Sequence, residues 1–233
     1  MGQSMINHRA LRARGDKRLQ PADRLVRDAA TLGVPLSAAA AGRLLKLTAE
    51  LARWNTRTNL TAITDPEAML THHLLDSLAV HPDLHGLRIA DVGTGAGFPG
   101  LPLALVNPQR QFTLIDSNNK KIRFVSHAAG LLGLTNVTAV HARAEALRPA
   151  VPFDTVVARA LAPLPKLLAT VAPLTGPDTR VLAMKGRYPQ DELARLPAPW
   201  RLESARELTI PGLAAARCVL GLRLSRCGPA ADS

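Results

Sequence analysis

Apolar residues first recur at helical spacing behind Ser37, a residue able to cap a helix: Leu44, Leu45, Leu47, Leu51 and Trp54 fall on one broad face. Asp65-Pro66-Glu67 is a second start signal, with a capping acid, proline at the first helical position and an acid in the first turn. The helix it opens runs through Leu70, Leu74, Leu75 and Leu78. This predicts a helical extension over residues 23–85, preceded by a basic, mobile arm at 1–22 that carries Arg9, Arg12, Arg14, Lys17 and Arg18.

From residue 88 the pattern changes to short apolar runs separated by helix-length stretches. Strands are predicted near 88–93, 111–116, 137–142, 154–160 and 179–185. Their continuous apolarity suits strands covered by helices on both faces, as in a mostly parallel α/β sheet. Two further strands, near 202–210 and 217–224, are separated only by residues 211–216. A link that short permits an antiparallel hairpin and forbids a parallel crossover. The expected architecture is a doubly wound, Rossmann-like α/β domain over 86–226 ending in an antiparallel hairpin, with a tail at 227–233.

Composition narrows the partners. Among 233 residues, 29 Lys plus Arg face 18 Asp plus Glu, a net charge of +11. Such an excess suits a polyanion, because phosphate contacts supply most sequence-independent nucleic-acid affinity; a generally basic composition is the less favoured alternative. For the arm, an RNA-binding tail and a frayed start both remain open. Cys218 and Cys227 are too few for a disulfide framework or a zinc site, so no metal is expected. No apolar run approaches the ~20 residues that span a bilayer, and no apolar segment follows the charged start as in a secretory signal. A cytoplasmic protein that binds no membrane is expected.

The segment Asp91-Val92-Gly93-Thr94-Gly95-Ala96-Gly97-Phe98-Pro99-Gly100 carries the most chemistry. It lies between a predicted strand and a predicted helix, where glycines let the backbone approach a ligand. Gly95, Gly97 and Gly100 fit the dinucleotide fingerprint that holds a pyrophosphate at a helix start. Asp91, Gly93, Gly95 and Gly97 fit instead the acidic-glycine loop of methyltransferases that bind S-adenosylmethionine. The acid favours the second register: a carboxylate suits a sulfonium and an ammonium and repels a pyrophosphate. Asp116, ending the second strand, is placed to accept hydrogen bonds from ribose hydroxyls of either cofactor.

Several acceptors can be set aside. The place after the fourth strand reads Ala158-Arg159-Ala160-Leu161, without the Asn/Asp-Pro-Pro-aromatic element usual for exocyclic adenine amines. Carbon-5 methylation of a pyrimidine needs a cysteine nucleophile, and neither Cys218 nor Cys227 is near the glycine loop in sequence. What remains is an acceptor already nucleophilic when neutral, such as guanine N7, which needs alignment rather than a general base; small-molecule acceptors also remain. Arg159 and Lys185 end the fourth and fifth strands, where ligands of open α/β sheets bind, and are expected to position the acceptor. Lys120, Lys121 and Arg123 cluster after Asp116 and, with Lys185, are the expected RNA contacts.

The run of Trp54-Asn55, Asn59-Leu60-Thr61, His73-x-x-Asp76-Ser77, Asp91 to Gly100 with Phe98-Pro99-Gly100-Leu101-Pro102, Asp116-Ser117, Lys120-Lys121, Arg159-Ala160 and Lys185-Gly186 resembles the ribosomal RNA small-subunit methyltransferase G family. The resemblance spans roughly residues 23–224. It implies a class I methyltransferase fold, S-adenosyl-L-methionine as cofactor with S-adenosyl-L-homocysteine as product, and N7 methylation of guanine 527 in 16S ribosomal RNA of the 30S subunit. It further implies cofactor contacts at Gly93, Phe98, Ala144, Glu145 and Arg159. His73 sits where the family has a histidine, and a packing role is the simpler reading; the role of His72 stays open. A monomer is expected. A small-molecule methyltransferase and a non-catalytic RNA-binding assembly factor are the alternatives; the intact Asp91, Gly93, Gly95, Gly97 and Asp116 speak against the second.

Overall fold

In the computed structural model, described for residues 20–225, the first element is a helix that the sequence analysis did not single out. Helix α1 (Pro21–Thr31) starts on a proline and buries Leu25, Asp28 and Ala29. Residues 21–22 therefore belong to a helix, which corrects the end of the predicted arm; residues 1–19, the tail and Cys227 lie outside the described residues. Helix α2 (Ala38–Thr58) starts where expected, with Ser37 Oγ accepting from Ala40 N at 3.1 Å. It stops at Asn59, whose φ of 48° is left-handed.

The helix opened by Asp65 is continuous but not uniform. Asp65 Oδ2 accepts from Ala68 N at 2.7 Å ahead of α3 (Pro66–Met69), a π-helical turn follows over Leu70–Leu75, and α4 (Asp76–Leu78) completes the run. The remaining elements alternate: β1 (Arg88–Val92), α5 (Gly100–Val106), β2 (Gln111–Asp116), α6 (Asn119–Leu131), β3 (Val137–His141), β4 (Thr155–Arg159), α7 (Leu164–Val171), β5 (Arg180–Lys185), α8 (Gln190–Leu193), β6 (Trp200–Glu207) and β7 (Cys218–Leu224).

The strands form one sheet in the order β3-β2-β1-β4-β5-β7-β6. Pairings from β3 through β5 are parallel, and β7 runs antiparallel to both β5 and β6. The predicted fold class is thus observed. The hairpin link is longer than predicted, because β6 ends at Glu207 and β7 begins at Cys218.

Helices cover both faces. Ile89, Phe112 and Leu114 face a cluster that includes Leu25 of α1, Leu44 and Leu51 of α2, Leu74 and Leu78, and Phe124 of α6. Ala90, Val92 and Ile115 face the opposite cluster with Leu164, Leu167 and Val171 of α7. Neighbouring strand residues point to opposite sides, so the apolar residues of β1 and β4 divide between the clusters, Ile89 and Val157 to the first and Ala90, Val92, Val156 and Ala158 to the second. The helical extension shares the first cluster with the sheet and so packs as part of that layer. The strand order reverses between β1 and β4, and this opens a crevice beyond their carboxyl ends, the usual ligand position in such sheets.

Candidate functional site

The loop leaving β1 turns through three glycines with positive φ: Gly93 at 70°, Gly95 at 60° and Gly97 at 85°. Their surroundings assign them different tasks. A Cβ on Gly97 would sit 2.7 Å from Leu101 Cγ and 3.5 Å from Val125 Cγ2, so this glycine serves close helix packing rather than ligand approach, a correction to the sequence reading. A Cβ on Gly93 would lie 2.6 Å from Leu161 Cδ1. A Cβ on Gly95 would meet nothing within 4 Å. Of the three, only Gly95 has open space at the Cβ position, while Gly93 borders both of the cavities described below.

Asp91 is also corrected. Its carboxylate is 1% exposed and turned into the loop, where Oδ2 accepts from Thr94 Oγ1 at 2.6 Å and from Gly100 N at 2.8 Å. Burial raises its pKa to about 6, against the opposing pull of those hydrogen bonds. It lines neither of the cavities described next; Oδ2 braces the loop, and Oδ1 is buried without a hydrogen-bond partner among the described residues.

One cavity of about 390 Å³ lies between the ends of β1, β2 and β4 and is lined by Gly93, Asp116, Lys121, Ala144, Glu145 and Arg159, among others. Asp116 holds its edge: Oδ2 accepts from Gly95 N at 2.9 Å and Oδ1 from Asn118 N at 2.8 Å. Each oxygen retains a lone pair for a hydroxyl donor. Lys121 Nζ lies 3.9 Å from Asp116 and lines this cavity, so it belongs with the nucleoside-sized site rather than on an outer RNA face as expected. Lys120 and Arg123 are exposed on α6, consistent with an outer face. Ala144 and Glu145 are brought together with Asp116 and Arg159 as the resemblance implied.

A second cavity of about 440 Å³ opens beside it, lined by His72, His73, Asp76, Phe98, Lys185 and Cys218 with Arg159 and Arg217. Both cavities share Gly93, Arg159 and Ala160, so they meet at the end of β4. Ala160 holds a left-handed φ of 49° there, costly for a residue with a Cβ and concentrated at functional turns.

Asp76 organises this second cavity. It is 2% exposed, and it accepts from Arg159 Nη1 at 2.8 Å and from Arg217 Nε at 3.1 Å. Sequence reasoning assigned Asp76 no role and missed Arg217 altogether; an acid inside the apolar run from Leu74 to Leu78 was the available signal. Arg159 Nη1 also donates to His72 O at 2.9 Å. His73 stacks on Phe98 with ring centroids 4.8 Å apart, and its Nε2 lies 3.0 Å from Thr61 Oγ1. Burial, with the Arg159 charge second, lowers its pKa to about 4, so the ring is neutral and structural.

Two further expectations change. Lys185 Nζ donates to Ala162 O at 3.0 Å and to Glu192 Oε2 at 2.8 Å. It ties the loop after β4 to α8 and its charge is already paired, which favours a loop brace over the expected phosphate contact. Cys218 is remote from the glycine loop in sequence but stands on the wall of the second cavity. Its thiol is 2% exposed and burial pushes its pKa up, which keeps it from serving as a thiolate nucleophile.

Comparison with known proteins decides the family. The family model for rRNA small subunit methyltransferase G matches residues 41–220. The chain belongs to that family. Ribosomal RNA small subunit methyltransferase G of Aeromonas salmonicida is 49% identical over 178 residues, covering 76% of this chain and 86% of its own length. The Pseudomonas paraeruginosa relative is 46% identical over 203 residues, 87% of this chain and 95% of its own. Among solved structures, a SAM dependent methyltransferase from Aquifex aeolicus superposes with a TM-score of 0.52 at 19% identity, over 71% of this chain and 97% of that one. Magnesium protoporphyrin IX methyltransferase from Synechocystis, with bound SAM, gives a TM-score of 0.52 at 15% identity, over 76% and 97%. These two show a shared fold, that of class I methyltransferases.

Proposed function

We propose that this chain transfers the methyl group of S-adenosyl-L-methionine to N7 of guanine 527 in 16S ribosomal RNA of the small ribosomal subunit. The observation that carries the reading is the meeting of two cavities at Gly93, Arg159 and Ala160. The first fits a nucleoside: an acid at the end of β2, the backbone of the Gly93 turn, and Ala144 and Glu145 on the far wall. The second holds the acceptor. When bound, S-adenosyl-L-methionine supplies an electrophilic methyl group on a sulfonium.

The protein's own residues supply alignment. In this reading Asp116 accepts from the ribose hydroxyls, Phe98 and the Gly93 turn border the reacting end, and Arg159 stands between the cavities, fixed by Asp76. The acceptor cavity supports a ring-nitrogen acceptor because its reactive groups are held inactive for other chemistry. Cys218 is a buried thiol, His73 is neutral and packed, and Asp76 is occupied by two arginines. An acceptor with its own in-plane lone pair needs none of them as base or nucleophile. The exposed Lys120 and Arg123 then contribute RNA affinity. This reading includes a monomer acting in the cytoplasm, where ribosomal subunits are made; no described helix is long and apolar enough to cross a membrane.

The test is methyl transfer from labelled S-adenosyl-L-methionine to 30S subunits from a strain lacking this gene, followed by mapping of N7-methylguanosine. Label at position 527 is expected. Cofactor binding without any transfer to RNA would overturn the RNA assignment and favour a small-molecule acceptor.

A further inference from the structure

The chemistry above leaves His72 on the wall of the acceptor cavity without a task. It lies in the π-helical turn, where the Asp76 N–H donates back to Thr71 O, and such turns re-aim side chains and recur at functional sites. Its own carbonyl is held by Arg159 at 2.9 Å. Its ring Nδ1 lies 3.1 Å from Ala68 O. A carbonyl oxygen can only accept, so Nδ1 carries the proton, and in the neutral ring Nε2 bears the lone pair. Thr71 Oγ1, 3.0 Å from the same nitrogen, is compatible as a second acceptor. Among the described residues no protein group bonds Nε2. The other charged walls of the cavity are the donors Arg159, Arg217 and Lys185, together with Asp76, whose oxygens the two arginines occupy.

We infer that His72 Nε2 is the acceptor that reads the base in this cavity, taking a hydrogen bond from the N1–H of guanine. The inference rests on the proposed RNA substrate. The N7 lone pair is common to guanine and adenine, so methyl transfer to that atom does not by itself separate the two purines. They differ at N1, where guanine carries a hydrogen and adenine a lone pair. An acceptor facing N1 bonds the first and confronts the second with an opposing lone pair, so it selects positively and negatively at once. His72 is therefore a specificity-determining residue, distinct from His73, whose Nε2 is taken by Thr61.

The experiment compares wild type, His72→Leu and His72→Gln with 30S subunits lacking the modification, measuring kcat/KM for methyl transfer, affinity for S-adenosyl-L-homocysteine, and melting temperature. The Leu variant should lose about 10- to 100-fold in kcat/KM, the usual consequence of an unmade polar contact in a reading site. The Gln variant, whose Oε1 extends to roughly the place of Nε2, should stay within about threefold of wild type. Product affinity and melting temperature should match wild type in both. A Leu variant with wild-type kcat/KM, or a Gln variant that falls as far as Leu, overturns the assignment. Wild-type protein that transfers nothing to RNA overturns instead the reading on which it rests.

Discussion

Replacing Gly95 and Gly97 separately tests whether the loop's glycines divide their work as their surroundings indicate. Alanine at Gly97 must adopt a φ of 85° and places its methyl 2.7 Å from Leu101 Cγ. The left-handed backbone costs about 1–2 kcal/mol and the overpacking a further 1–3 kcal/mol. A loss of about 2–5 kcal/mol lowers the melting temperature of a domain this long by roughly 5–15 °C. Alanine at Gly95, with φ at 60° and nothing within 4 Å, incurs only the backbone cost, about 1–2 kcal/mol. Valine at Gly95 should keep the fold and lower affinity for S-adenosyl-L-homocysteine at least about tenfold, because its branches fill space that the cofactor needs. Differential scanning fluorimetry and isothermal calorimetry read the two effects separately. Equal melting losses for Gly95→Ala and Gly97→Ala, or retained affinity in Gly95→Val, would refute the division.

The pH dependence of stability should carry the mark of Asp91. Its folded pKa of about 6 lies above the ordinary carboxyl value of 3.8, so the unfolded state ionises first as pH rises. Native stability should therefore fall by about 3 kcal/mol between roughly pH 4 and pH 6, and denaturant midpoints of Asp91→Asn should lack that decline. Lys185→Met should reduce methyl transfer by releasing the loop at Ala162 while leaving the salt dependence of RNA binding unchanged; a slope flattened by one charge would restore Lys185 as a phosphate contact. Arg159→Ala should destabilise by about 3–5 kcal/mol in urea titrations, since it leaves the buried Asp76 carboxylate short of a partner, and Asp76→Asn in the same chain should recover part of the loss.

Local signals in the chain were enough for most elements. Ser37 and Asp65 cap the helices they were expected to cap, because a cap depends only on a side chain and an amide three residues on. Strands β1, β2, β4 and β5 appear where largely apolar runs predicted them, since both of their faces are covered, and the less buried β3 also falls in its predicted place. Helix α1 escaped notice. Its own sequence carries the signal, a proline at the first helical position and a one-sided face through Leu25 and Ala29, although Asp28 interrupts that face with a buried acid. The π-helical turn was equally invisible: nothing in Leu70–Leu75 distinguishes i→i+5 from i→i+4 bonding.

Residue types and their spacing also selected the cofactor class, because an acid followed by alternating glycines after a strand carries its chemistry in a few adjacent residues. What each of those residues touches was decided by how the loop folds and by what docks on it. Asp91 turns onto Thr94 and Gly100 within its own loop and Gly97 packs on Leu101 four residues on, but Val125 reaches Gly97 only once α6 docks. Asp76 finds Arg159 and Arg217 across separations of 83 and 141 residues, Lys185 finds Glu192, and Cys218 reaches the acceptor cavity when β7 pairs beside β5. Capping and periodicity act over one or two turns, so they can be read along the chain. Pairing of charges and closure of a cavity depend on which strands become neighbours, and the order β3-β2-β1-β4-β5-β7-β6 exists only after the sheet has assembled.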